Sequence, residues 1–190
     1  MTSRVATVVV LNGTSSSGKT TLARAFQEIA PNVFLNFSID SILSALPCSV
    51  IERMTSGEDI SDIRLPELVG AYYACVRRLL ELGHDLVIDH AVTARYHAEQ
   101  LVSAVDSHRV VMVGLDPPAE VVVKRERERG DRLVGMAAAQ QLRIHSWLSY
   151  DLTIDTSVVS PEEGARRIVD AMASATGEAL ERTRAKLGSA

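Results

Sequence analysis

The stretch Gly13-Thr-Ser-Ser-Ser-Gly-Lys-Thr20 constrains this chain more than any other. It fills every fixed position of the pattern G-x-x-x-x-G-K-[ST]. The run from Val5 to Leu11 before it is nearly continuous and apolar, as in a parallel strand covered on both faces. The segment Thr21 to Ile29 after it reads as a helix. A glycine-rich turn in that setting lets successive backbone N–H groups face an anion, with a helix N-terminus behind them. Gly13, Thr14, Ser15, Ser16, Ser17, Gly18, Lys19, Thr20 and Thr21 are therefore the expected phosphate cradle of a nucleotide. Lys19 is expected to bridge the β- and γ-phosphates, and Thr20 to offer its hydroxyl to Mg²⁺. A chance Gly/Ser-rich turn would explain neither the full match nor its flanks.

Four further apolar runs follow, Val33–Phe37, Asp85–Asp89, Arg109–Leu115 and Asp151–Asp155, giving five candidate strands. Helical patterns lie between them, near 18–30, 66–82, 94–105, 117–128, 136–148 and 161–174. The alternation predicts right-handed crossovers and a parallel sheet. Ser160-Pro-Glu-Glu163 reads as a capping box with Pro at the first helical position. Gly83 is placed to end the helix before it. The alanine-rich, charged tail from Gly177 reads either as a short last helix or as a frayed end.

Hydrophobic residues make up 46% of the 190, enough to offset chain entropy, and the length suits one domain, 1–190, with a single core. The net charge of −4 argues against a nucleic-acid partner gripped by a broad basic face. No apolar run reaches the ~18 residues of a membrane span, so no membrane partner is expected. The run Val5–Leu11 is too short, and follows too little positive charge, for a signal peptide. Cys48 and Cys75 match neither a zinc spacing nor a disulfide framework, which implies a reducing, cytoplasmic setting. A homo-oligomer is as compatible with the chain as a monomer.

Three acidic or basic clusters could complete a site. Asp40 follows the second apolar run, and ligands of open α/β sheets lie beyond the carboxyl ends of the strands. It can serve as a general base, or as the N-cap of the short helix that follows it. Asp89 closes the third run, as an acid that orients Mg²⁺ or its waters, or that meets the substrate. His90 next to it either faces the substrate or is a polar residue at a strand end. The segment Lys124–Arg132 carries five basic residues interleaved with Glu126, Glu128 and Asp131. Arg125 and Arg127 read as part of a solvated helix face. Arg129 and Arg132 flank a break at Gly130, as in a lid that brings guanidinium groups to a nucleotide.

Together these residues resemble small P-loop kinases of the nucleotide and shikimate kinase architecture, and above all the chloramphenicol phosphotransferase family. The resemblance runs from Val8 to about Met172. It rests on Leu11–Thr20, Phe37-Ser-Ile-Asp-Ser-Ile42, Leu86–Asp89, Arg129-Gly-Asp-Arg132 with Val134–Ala138, and Tyr150–Thr156. It implies a P-loop kinase fold, α/β, with a five-stranded parallel sheet of order 2-3-1-4-5. It implies transfer of the γ-phosphoryl of ATP or GTP, with Mg²⁺, to a hydroxyl of an antibiotic, hence resistance. In that reading Asp40 is the base, Asp40, Asp89 and His90 meet the acceptor, and Thr20 and Asp89 serve the metal. Lys19, Arg129 and Arg132 assist transfer from a lid and loop, with the lid near 125–136 and Arg129 on the nucleotide. Tyr150–Ser157 would frame the purine.

Two departures bear on the acceptor. A member of the family carries a second acid after the strand-three aspartate, where this chain has His90. The segment Leu46–Leu65, within the expected acceptor-binding stretch of about 41–70, carries Cys48, Arg53, Glu58, Asp59 and Arg64. So polar a segment predicts an acceptor more polar than chloramphenicol, such as a nucleoside-type antibiotic. A metabolic kinase for a sugar, nucleoside or shikimate-like acid is the alternative within kinases. A nucleotide-binding regulator is the alternative outside them, although no guanine-reading Asn/Thr-Lys-x-Asp motif supports a GTPase switch.

Overall fold

A computed structural model describes residues 4–129 and 135–189, without the side chains of Arg129 and Met136. Five strands form one parallel sheet in the order β2-β3-β1-β4-β5. They are β1 (Thr7–Asn12), β2 (Phe34–Ser38), β3 (Asp85–Asp89), β4 (Arg109–Leu115) and β5 (Leu152–Ile154). The helices are α1 (Lys19–Ile29), α2 (Asp40–Leu43), α3 (Cys48–Ser56), α4 (Leu65–Glu81), α5 (Arg95–Val105), α6 (Ala119–Arg129), α7 (Met136–Gln141), α8 (Pro161–Ser174) and α9 (Glu178–Gly188). This is the expected order, a P-loop kinase fold.

The two-residue period of the central strands explains how both faces are covered. Val8, Val10, Leu86, Ile88, Val110 and Met112 pack under α4, α5 and α9. Val9, Leu11, Val87, Val111 and Val113 point the other way, onto Leu22, Ala23 and Phe26 of α1 and Ala165 and Ile168 of α8. Val9 pairs with Val87 and Val111, and Leu11 with Asp89 and Val113, so β1 is the axis of the sheet. Each aliphatic side chain so buried contributes about 1.5–3 kcal/mol.

Helix ends follow local chemistry. Gly83 sits in the left-handed region (φ 84°), with its N–H on the Leu80 carbonyl and the His84 N–H on that of Leu79, a Schellman end to α4. Ser160 Oγ accepts the Glu163 N–H at 3.2 Å, but only this half of the expected capping box forms. The Glu163 carboxylate turns instead to Arg166 and Arg167 along its own helix.

Other expectations are corrected. The helical pattern near 136–148 is helix only to Gln141, and the chain continues in turns. A tertiary bond competes there: the Asn12 amide donates to the Ile144 carbonyl at 2.7 Å and holds this stretch against the end of β1. The stretch of about 41–70, expected to bind the acceptor, contains a helix, α3, that periodicity did not disclose. The tail is helical, with Ala179, Leu180 and Leu187 buried against the sheet's helix layer. No helix among the described residues is long and apolar enough to cross a membrane. Both cysteines are unpaired.

Candidate active site

The ends of β1, β2, β3 and β5 share one edge of the parallel sheet, and the expected site residues come from those ends. After β1 the loop passes through Ser16 (φ 60°) and Gly18 (φ 93°), both left-handed, before α1 begins at Lys19. Such a turn bends successive amides toward a common point. Gly13 is required by space: a Cβ there would lie 2.6 Å from Ser17 Oγ and 2.9 Å from the Leu115 carbonyl oxygen. The Ser16 and Ser17 hydroxyls are buried with no protein partner. Orphaned hydroxyls in an amide-rich loop at a helix N-terminus fit a ligand rich in acceptor oxygens, such as a phosphate chain.

Lys19 Nζ donates to the carbonyls of Gly13 (3.0 Å) and Thr14 (2.8 Å) and lies 4.0 Å from Asp89 Oδ1. Thr20 Oγ1 donates to Asp89 Oδ2 at 2.7 Å. The loop and the acid of β3 thus form one cluster. The described residues hold no group of three or more His, Cys, Asp or Glu suited to a metal. The Thr20–Asp89 pair of hard oxygens suits Mg²⁺, which keeps waters and phosphate oxygens as its other ligands.

Asp40 is the first residue of α2, with Ile39 at the N-cap position and no side-chain cap bond, so the capping alternative is not realised. Asp40 lines a cavity of about 570 Å³ together with Lys19, Thr20, Asp89 and His90. His90 is not a polar edge residue. It is 4% exposed, and its Nδ1 lies 2.7 Å from the Tyr73 hydroxyl of α4. Burial, then the neighbouring His97 and Lys19, push its pKa down to about 3. Burial likewise raises the Tyr73 phenol.

The expectation of a polar acceptor segment is overturned by the facing of α3. Ile51, Met54, Thr55 and Leu65 line the cavity, with Leu43 and Val69 beside them. Arg53 instead pairs with Asp62 at 2.7 Å, and Arg64 with Glu67 at 2.6 Å, at the surface. Along α3 the helical period sets Ile51, Met54 and Thr55 apart from Arg53, and none of the polar residues counted along the chain is among the described residues that line the cavity.

A second cavity of about 450 Å³ opens on the other side of the loop, lined by Ser16, Gly18, Thr21, Arg125, Thr156 and Pro161. Arg125 is no solvated bystander. It donates from Nη1 to Thr156 Oγ1 (2.9 Å) and from Nη2 to the Thr156 carbonyl (2.8 Å). Thr156 Oγ1 donates in turn to the Ser17 carbonyl at 2.8 Å. Glu126, one residue on, is fully buried, and its carboxylate accepts the N–H groups of Gly135 and Ala137, both at 2.8 Å. No sequence signal separated these two residues from their exposed neighbours. Gln140 accepts the Ser15 N–H at 2.6 Å, which brings α7 onto the loop. Arg132 and the side chain of Arg129 lie outside the described residues.

Comparison with known proteins places this geometry. A family model described as chloramphenicol phosphotransferase-like protein matches residues 6–173. Two Mycobacterium tuberculosis proteins, from strains CDC 1551 and H37Rv, each named "Putative O-phosphotransferase", are 27% identical over 179 residues, covering 85% of this chain and 80% of theirs. A Janibacter sugar kinase structure is similar with a TM-score of 0.64 at 21% identity, over 93% of this chain and 99% of its own. The Mycobacterium tuberculosis APS kinase solved with AMPPNP and APS gives 0.65 at 15% identity, over 89% and 98%. At these identities the two structures show the fold alone.

Proposed function

The chain belongs to the chloramphenicol phosphotransferase-like family of P-loop phosphotransferases, and on that premise we propose that it transfers the γ-phosphoryl group of ATP or GTP to a hydroxyl of an antibiotic held in the 570 Å³ cavity. The observation that carries this reading is that Asp40 shares that cavity with Lys19, Thr20 and Asp89. A donor phosphate on the loop and an acceptor hydroxyl beside Asp40 would therefore meet in one space. A cavity of this size beside the loop also weighs against a nucleotide-sensing regulator. The cytoplasm, where nucleotide is abundant, is the setting we assign it.

The chain's own groups then divide the work. The loop amides, the orphaned Ser16 and Ser17 hydroxyls and the α1 N-terminus hold the phosphates. Lys19 balances charge on them. Thr20 and Asp89 would hold Mg²⁺, which when bound neutralises the phosphate oxygens. Asp40 takes the proton of the attacking hydroxyl. Arg125 and Thr156 frame the nucleoside in the 450 Å³ cavity. Arg129 and Arg132 are assigned to the lid from their sequence pattern. Positioning and charge stabilisation supply most of the acceleration.

The deciding experiment is product mass spectrometry after incubation with ATP or GTP, Mg²⁺ and a mixed antibiotic panel. One panel member should gain the mass of one phosphoryl group. Nucleotide binding without any phosphorylated antibiotic would overturn the antibiotic acceptor.

A further inference from the structure

The glycine-rich loop holds one residue in a conformation that the residue itself disfavours. Ser16 is left-handed (φ 60°), the single non-glycine residue of positive φ among those described. A side chain in that region is strained, and glycine is the usual occupant. A short polar side chain can relieve the strain by bonding locally. Ser16 Oγ does not: it is buried, with no partner among the described residues. Such a conformation persists only where the surroundings impose it.

Both neighbours of Ser16 are gripped from other elements. The Ser15 N–H donates to Gln140 Oε1 of α7 at 2.6 Å. The Ser17 carbonyl accepts the hydroxyl of Thr156, just beyond β5, at 2.8 Å. Arg125 sets the direction of that second bond. Its guanidinium donates to Thr156 Oγ1 (2.9 Å) and to the Thr156 carbonyl (2.8 Å). A guanidinium can only donate, so the hydroxyl accepts from Arg125 and turns its own proton to Ser17.

The two grips belong to one frame. Arg125 is followed on α6 by the buried Glu126, whose carboxylate accepts the Gly135 and Ala137 N–H groups at the start of α7. α7 in turn carries Gln140. The path from Ser17 through Thr156, Arg125, Glu126 and α7 therefore returns to Ser15, and Ser16 closes the ring. A ring of this kind fixes the peptide units on both sides of Ser16, so its φ and ψ are set by the frame and not by the serine.

Building on the phosphotransferase reading, we infer that Gln140, Thr156 and Arg125 are positioning residues: they hold Ser16 left-handed and so keep the loop amides converged on the phosphates of a nucleoside triphosphate. Gln140 acts through the Ser15 amide, and Arg125 acts through Thr156 on the Ser17 carbonyl.

The test uses the full chain with Mg²⁺ and whichever of AMPPNP or GMPPNP the parent binds. Gln140→Ala and Thr156→Val are each made with Ser16 in place, with Ser16→Gly and with Ser16→Ala. With Ser16 in place, each should weaken binding of the analogue about tenfold in titration calorimetry. Beside Ser16→Gly, which is left-handed without strain, each loss should shrink to about threefold or less. Beside Ser16→Ala, which lacks the hydroxyl but keeps the strain, each loss should stay near about tenfold. Equal losses in all three backgrounds would mean ordinary packing or direct contact with the nucleotide, and would overturn the inference. Tighter binding in Gln140→Ala would mean that its amide oxygen competes with phosphate for the Ser15 N–H, and overturns it too. Without nucleotide, hydrogen–deuterium exchange of the Ser15 amide should quicken about tenfold in Gln140→Ala, and unchanged exchange overturns the inference. A parent that binds neither analogue would instead remove the phosphotransferase reading, while the exchange measurement still decides the Gln140 contact, so the two failures are distinguishable.

Discussion

Single atoms divide binding from chemistry at this site. Lys19 and Thr20 are tied to the loop carbonyls and to Asp89, whereas Asp40 comes from a different strand end and is the first residue of its helix rather than its N-cap. Removing the Asp40 carboxylate should therefore spare nucleotide affinity while lowering kcat by about 10²–10⁴, the usual worth of a general base. Steady-state kinetics of Asp40→Asn, beside nucleotide titration, would check this, and unchanged turnover would remove Asp40 as the base. Lys19→Ala should lose on the order of 10²–10³ in kcat together with nucleotide affinity. Asp40 and Lys19 were legible in the sequence because each belongs to a short motif. Arg125 was not, because its role depends on a threonine 31 positions away.

Among the elements, α6 and α7 are joined by a buried side chain, Glu126. α7 begins at a left-handed Gly135 with no side-chain cap of its own. The buried Glu126 carboxylate reaches across from α6 to the Gly135 and Ala137 amides, where the helix N-terminus favours negative charge. Glu126→Gln turns one of those acceptors into a donor facing an N–H. A loss of about 1–3 kcal/mol is expected, a Tm drop of roughly 2–12 °C in thermal melts. A melt unchanged from that of the parent would show that α7 is held by other contacts. In sequence, Glu126 sits inside an alternating run of charges that reads as solvated, and only the fold of the chain back onto α6 distinguishes it from Glu128.

For the whole molecule, the sheet layers fix how acid is tolerated. His90 lies between β3 and α4, where burial lowers its pKa from 6.5 to about 3. The folded protein therefore refuses a proton that the unfolded chain accepts. This contribution to stability is fully present above about pH 6.5 and is lost as pH falls toward 3, by roughly 2 kcal/mol at pH 5. His97 shifts in the same direction, also through burial. The decline in Tm between pH 7 and pH 5 should be shallower in His90→Gln than in the parent, and equal declines would show that His90 does not carry the acid sensitivity.

The sequence by itself determined the glycine-rich loop between β1 and α1, the strand–helix alternation and the acids at two strand ends. Steric demands at a turn and periodic burial act over a few neighbours, so they are written locally. Only the tertiary structure decided which side of α3 faces the cavity, which arginine reaches Thr156, and that Tyr73 meets His90. Those outcomes depend on rotations of a residue or two about a helix axis and on partners far apart in the chain. The packing of helices against both faces of the sheet sets them.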